Sequence, residues 1–380
     1  MTEKNYPAGD TEPCNSRASS VSEAAEDVPV KKKSPFSGKI LWTLVFVLIA
    51  GLTVWSTASI NQEFSVEGFL SLLGELQIGW IIAAFVAMIG VIVFEGLAIL
   101  CICRIFGYKK GFGKGYSYAA ADIYFSAITP SATGGQPASA FLMMKDGIPG
   151  SVTTVALLLN LIMYTFSILL LGLISFLTHP AIFLHFSPVS RVLIVVGSVA
   201  QVFLAIGFIL LLKKPSILYR ICDFFLRLLR KLHLIRNIEG KRIKLQAAID
   251  SMDAISEEIA KNKKRLFFAF LFNVLQRASL LAVTVFVFLA TKEGTLSMLG
   301  DIWSAECMVV LGSNFVPIPG AMGVIDYLLI DAFQGFITMD LVVNLELMSR
   351  AVSFYFCVFL CGISFLLRCL FLFRRDRKKE

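Results

Sequence analysis

The sequence predicts an all-α polytopic membrane protein, with about six long transmembrane helices plus two re-entrant or broken helical hairpins in a 3+3 inverted repeat. Three observations predict it. Of 380 residues, 57% are hydrophobic and 16% charged, an apolar share well above that of a soluble domain. About six apolar runs reach the roughly 20 residues that a helix needs to cross a bilayer core. Two further hydrophobic stretches are broken at their centres by proline and glycine, at 128–138 (ITPSATGGQPA) and 316–323 (VPIPGAMG). Lipid offers no substitute partner for freed backbone groups, so such backbone survives at membrane depth only where it is buried in protein or lines a wet cavity. A matched pair of interrupted segments marks a transporter site at an internal repeat interface.

Residues 1–35 are polar, rich in Ser, Glu, Lys and Pro, and carry no signal-peptide cleavage pattern, so they read as a disordered cytoplasmic tail. Residues 36–212 hold the first membrane repeat, with runs at about 40–58, 78–103 and 151–176 and a re-entrant element at 116–145, and end in the fourth run at about 191–212. A basic amphipathic cytoplasmic linker follows at 213–265. The second repeat core, 266–373, has runs at about 266–290 and 342–373 and a re-entrant element at 302–336, before a basic cytoplasmic tail at 374–380.

Basic residues set the orientation. Lys31, Lys32, Lys33 and Lys39 precede the first run, and Arg104, Lys109, Lys110 and Lys114 follow the second. The linker carries fourteen Lys or Arg against six Asp or Glu, and Arg374, Arg375, Arg377, Lys378 and Lys379 follow the sixth run. These segments are expected to face the cytoplasm, with both termini inside. The opposite segments agree: 59–77 has Glu63, Glu67 and Glu75 and no basic residue, and 177–190 has no Asp, Glu, Lys or Arg. On this topology the break at Pro130 enters from the cytoplasm and the break at Pro317 from outside. Spans one to three with one hairpin are then followed, upside down, by spans four to six with another. If each break is instead a kink between two short helices, the membrane count becomes ten and both termini still lie inside.

Two segments look interfacial. In 219–235, Ile221, Phe224, Phe225, Leu228 and Leu232 recur at helical spacing with Arg220, Arg227 and Lys231 on another face, a pattern suited to an anionic inner-leaflet lipid surface. The stretch 64–76 is a weaker, acidic version on the outer side.

Ionisable groups inside apolar spans are expensive and mark sites. Glu95 lies near the middle of span two, and Arg277 lies inside span five beside Gln276. A direct Glu95–Arg277 pair across the repeat interface is the cheapest way to keep both charged. Glu346 and Arg350, four apart, read as a local helix pair. Around the first break, Asp122, Tyr124, Ser126, Thr129, Ser131, Thr133, Gly134, Gly135 and Gln136 supply polar groups and close-approach positions. Pro137 suits the first position of a half-helix at 137–144. The second break repeats the scheme with Glu306, Ser313, Asn314 and Asp326 around Pro317, Pro319 and Gly320. Two half-helix N-termini aimed at one cavity suit an anion, and a lipid-headgroup phosphate is the commonest anion at that depth.

Competing chemistry finds no support. The eight cysteines are scattered, most of them inside apolar runs, the Cys101-x-Cys103 pair has no neighbouring histidine, and His179, His185 and His233 form no metal or catalytic spacing. No GxSxG, HExxH or Walker-type motif occurs, so neither a cofactor nor a metal is called for.

The run ITPSATGGQPAS with the later FVPIPGAMGVID, in this span pattern, resembles the lysylphosphatidylglycerol synthase transmembrane family, the flippase-like domain of multiple-peptide-resistance proteins, over about 38–375. The resemblance implies a multi-pass protein of the bacterial cytoplasmic (inner) membrane. Its activity would be lipid transport, moving aminoacylated phosphatidylglycerol to the outer leaflet, where the added positive charge weakens binding of cationic antimicrobial peptides. Many relatives read Pro-x-Pro-Gly-Gly-x-Gly followed by an acidic residue; here Ala321 replaces the second glycine and Asp326 takes the acidic place. The first motif often has Gly-Glu, whereas this chain has Gly135-Gln136. Full-length members add a soluble domain that transfers lysine from lysyl-tRNA to the lipid. The residues of this chain hold no segment of that kind, so it is expected to act as a transmembrane module without direct nucleic acid binding. Two alternatives remain: the membrane part of a phosphatidylglycerol lysyltransferase working with a separate aminoacyl-tRNA-dependent synthase, and a transporter of an isoprenoid phosphate or other lipid-linked substrate.

Overall fold

The computed structural model describes residues 74, 76–129, 132–213, 258–259, 261–291, 293–316, 318, 321, 323–334 and 337–377. The run at 40–58, the tail at 1–35, the amphipathic stretch at 219–235 and nearly all of 64–76 lie outside them. Every regular element among the described residues is helical, as backbone that spans lipid must be unless it closes into a barrel.

In chain order the elements are α1 (Ile78–Ile105), α2 (Phe112–Ile128), α3 (Gly135–Lys145), α4 (Gly150–Thr178), the short α5 (Pro180–His185) and α6 (Pro188–Lys213). They continue with α7 (Lys263–Ala290), a single 3-10 turn, α8 (Leu299–Ser313), α9 (Val324–Phe333), α10 (Met339–Arg350), a π-helical segment (Ala351–Phe356) and α11 (Cys357–Arg377). Among the described residues, five stretches are long and apolar enough to cross a membrane: Ile78–Ile105, Gly150–Thr178, Pro188–Leu210, Lys263–Ala290 and Leu341–Leu372. The last is not uniform. Its π segment adds a residue per turn and re-aims α11 relative to Arg350. Val192, Val195, Val196, Val199, Val202, Phe203 and Ile206 of α6 are exposed, an apolar face of the kind that lipid covers.

The long helices α1 and α7 run antiparallel along their whole length. The Gln77 N–H donates to the Ala290 carbonyl at 2.9 Å at one end, and Arg265 donates to the Arg104 carbonyl at 2.6 Å at the other. Trp80 stacks on Phe286 with centroids 5.8 Å apart.

Two helical hairpins, α2–α3 and α8–α9, complete the site-bearing part. The ends of the first are tied by Asp146, whose buried carboxylate lies 3.1 Å from Lys114, takes Arg368 of α11 on both oxygens at 2.7 Å and accepts from Tyr118 at 2.8 Å. Burial alone would raise the Asp146 carboxyl; the bonds from Tyr118, Lys114 and Arg368 outweigh it and hold that group below the ordinary carboxylate range. The ends of the second hairpin lie at the far end of α4: Gly300 packs against His179, and Asp331 accepts from the Ser187 N–H at 2.8 Å. Because α4 begins four residues after Asp146 and ends at His179, the hairpins open toward opposite ends of the bundle. The half-helix expected at 137–144 starts two residues earlier, at Gly135, with Gly134 as its cap and Pro137 in its first turn.

Both breaks hold an alanine in the left-handed region, Ala132 at φ 52° and Ala321 at φ 51°. That conformation costs a residue with a Cβ about 1–2 kcal/mol and glycine nothing. The backbone at Ala321 is one that glycine adopts without strain. Ala321→Gly is therefore expected to stabilise the protein by up to about 1 kcal/mol, read as a raised unfolding midpoint in detergent; an unchanged or lowered midpoint would refute the strain.

Candidate functional site

The first hairpin gathers around Asp122 on α2. Gln136 of α3 donates to its Oδ2 at 2.9 Å and Ser126 to its Oδ1 at 3.2 Å. A Cβ on Gly135 would stand 2.1 Å from the same carboxylate, so that group sits against the first residue of α3. At the cap, the Gly134 N–H donates to Thr129 Oγ1 at 2.9 Å. Thr133 is exposed at the tip. The carboxyl of Glu95 on α1 adjoins that of Asp122, which places the expected residues of the first break together.

Glu95 and Arg277 do not pair directly. Gln276 stands between them: its amide donates to Glu95 Oε2 at 3.3 Å, and its carbonyl oxygen accepts from Arg277 Nε at 2.8 Å. The reason is rotational. On α7 the neighbours Gln276 and Arg277 point about 100° apart, so the amide faces α1 while the guanidinium turns to α4 and lies over the Tyr164 ring, 3.7 Å from its centroid. The Tyr164 hydroxyl donates to Asn314 Oδ1 at 3.0 Å, and the Asn314 amide donates to Gln201 of α6 at 3.4 Å. Gln201 in turn donates to the Leu311 carbonyl at 3.2 Å. A polar thread therefore runs from Gln136 through Asp122, Glu95, Gln276, Arg277 and Tyr164 to Asn314, tip of one hairpin to tip of the other.

The second hairpin has its own charge centre. Arg350 Nε donates to Asp326 Oδ1 at 2.7 Å and lies 3.6 Å from Glu346. Asp326 Oδ2 accepts from the Gly323 N–H at 2.8 Å. Arg350 is thus more than a local partner of Glu346. Glu306 on α8 has Thr284 within hydrogen-bonding reach, and Thr284 bonds Ser349 at 2.6 Å. Pro317, Pro319 and Gly320 lie outside the described residues.

One expectation needs correcting. The helix N-termini at the breaks do not stand open to an external anion. Asp122 occupies the start of α3 and Asp326 the start of α9, so each positive dipole end is matched by a carboxylate of the chain itself. The group left for an anion is Arg277. Among the described residues its two terminal nitrogens have no hydrogen-bond or carboxylate partner. It lines a cavity of about 10 Å³ with Ile168, Leu171, Cys307 and Val310, room for about one water.

Sequence reasoning missed Tyr164, Gln201, Thr284 and Ser349. Each is a polar side chain inside an apolar run, a signal weaker than a charge but available.

No curated protein matches this sequence. The profile of the family described as lysylphosphatidylglycerol synthase TM region matches residues 40–361, and the chain, an all-helical multi-pass membrane protein, belongs to that family.

Proposed function

We propose that the protein is a lipid translocase that moves aminoacylated phosphatidylglycerol, or a related lipid with an anionic headgroup, across a bacterial cytoplasmic membrane, and so contributes to resistance to cationic antimicrobial peptides. The observation that carries this reading is Arg277: a buried guanidinium, stacked on Tyr164 and held at Nε by Gln276, whose terminal nitrogens bond no acid among the described residues. A guanidinium presents paired donors that match a phosphate.

The surroundings suit a lipid. The Arg277 cavity is lined by Ile168 and Leu171 of α4 and by Cys307 and Val310 of α8. On neighbouring residues of the same helices, Leu169, Leu173, Met308 and Leu311 line an apolar cavity of about 390 Å³ with Phe176, Phe183 and Val199. A headgroup site and an acyl-chain site thus flank one helix contact. The headgroup cavity is too small for a phosphate, so it must open. Hairpins entering from opposite ends supply two elements that can open alternately to the two leaflets, as an inverted repeat does. The basic linker, with its amphipathic stretch at 219–235, would rest on anionic lipid of the inner leaflet. A separate aminoacyl-tRNA-dependent synthase would supply the substrate.

The test is movement of a fluorescent lysyl-phosphatidylglycerol analogue between leaflets of proteoliposomes, read by chemical quenching of the outer leaflet. A bond to a charged group is worth about 1.5–3 kcal/mol, so Arg277→Ala is expected to slow protein-dependent movement at least about tenfold while the purified protein stays monodisperse. Movement at the original rate would sink the assignment. Faster movement of an isoprenoid phosphate than of the lysyl lipid would favour that substrate instead.

A further inference from the structure

Three carboxyl groups of the second hairpin region face one guanidinium. Asp326 is satisfied by Arg350 and by the Gly323 N–H. Glu346 is less well served: its side chain is fully buried, its contact with Arg350 is long at 3.6 Å and shared with Asp326, and beyond Arg350 and the adjoining Asp326 carboxyl no donor lies within hydrogen-bonding distance of its oxygens. Glu306 is 6% exposed, and its Oε2 likewise lacks a partner. One guanidinium cannot offset three ionised carboxylates in a low-dielectric interior, where unmatched charge is costly. An unmatched carboxyl group holds either a proton or a cation.

We infer that Glu346, with Glu306, forms a site where a proton and the ammonium group of an aminoacylated headgroup compete, so that lipid movement is exchanged against protons. This rests on the translocase reading above. The placement supports it. Thr284 is seven residues from Arg277 on α7, hence on the same face and about 10 Å along the axis, and it bonds both Glu306 and Ser349. Ser349 lies one turn from Glu346 on α10. A headgroup phosphate at Arg277 therefore puts an extended aminoacyl arm within reach of the two acids. The charged and titratable groups facing them are Arg350, Asp326 and the Cys307 thiol, none of which supplies a free cation. In the exchange, the carboxyl proton leaves to water on the open side as the ammonium takes its place, and a proton returns when the lipid is released. Charge is conserved at each step.

The experiment adds short-chain lysyl-phosphatidylglycerol to the intact protein in weakly buffered detergent, with a pH-indicator dye and a parallel calorimetric binding measurement. Binding is expected to release a proton from the unaltered protein. Glu346→Gln, the neutral isostere of the protonated acid, is expected to fold, to release none and to bind the lipid at least about tenfold more weakly. Glu306→Gln provides the same reading should the first variant fail to fold. Short-chain phosphatidylglycerol, which lacks the ammonium, is expected to release no proton. Lysyl lipid that binds without releasing a proton overturns the exchange and leaves the translocase reading standing. A lysyl lipid that does not bind at all overturns the translocase reading itself.

Discussion

Arg350→Ala is expected to cost about 3–5 kcal/mol, the range for removing one partner of a buried ion pair, and to leave little monodisperse protein after extraction. The substitution strips Asp326, 1% exposed, of its bond to Nε and leaves the Gly323 N–H as its remaining described donor. It also takes away the cation nearest to Glu346. Because Asp326 fixes the start of α9 and Arg350 stands at the edge of the π segment, the loss frees the second hairpin from the last long helix. Size-exclusion profiles and unfolding midpoints in detergent are the measurement. Adding Asp326→Asn to Arg350→Ala should recover part of the loss, since the amide removes the uncompensated charge. A single variant with an unchanged midpoint, or a double variant no better than the single, would show that the pair does not hold the hairpin.

The second large effect is expected at Gly135. A Cβ there would lie 2.0 Å from Ser126 Oγ and 2.1 Å from Asp122 Oδ1, contacts that side chains relieve by moving. It would also lie 2.5 Å from the Asp122 main-chain carbonyl, which cannot move cheaply. Gly135→Ala must therefore push α3 away from α2, breaking the Gln136–Asp122 bond and the first link of the polar thread. Overpacking of this kind costs about 1–3 kcal/mol, and lipid movement should fall to the level of protein-free vesicles. Gly113→Ala is the control: a Cβ there meets nothing within 4 Å, and alanine is the better helix former by about 1 kcal/mol. Equal behaviour of the two variants in midpoint and transport would remove the close approach as the cause.

The long helices were legible because lipid imposes one simple rule, about 20 apolar residues per crossing. The four described runs before the last keep their expected positions within a few residues at each end. Boundaries slipped where hydropathy says little, as at Lys263, where α7 begins three residues before its apolar run. The uneven last span was not legible, because a π segment of Ala, Val, Ser, Phe and Tyr has the same hydropathy as an α-helix.

For the site, sequence singled out Glu95 and Arg277 by the cost of charge at depth, and Asp122, Gln136, Glu306 and Asp326 by their place around the two breaks. Partners were another matter. Pairing Glu95 with Arg277 followed from their equivalent positions, yet Gln276 carries the link because adjacent helical residues face different neighbours. Pairing Arg350 with Glu346 followed from their spacing of four, yet Asp326, twenty-four residues away, takes its Nε.

The sequence by itself determined the membrane class, the two broken segments and several of the buried charges, though not Asp146 or Asp331, because each depends on local composition and chain chemistry. Tertiary structure alone decided which carboxylate fills each half-helix N-terminus, which arginine keeps a free edge and which acids share one cation. Those outcomes depend on side-chain direction around the helix axis and on how closely two backbones approach, and neither is written in any one segment of the chain.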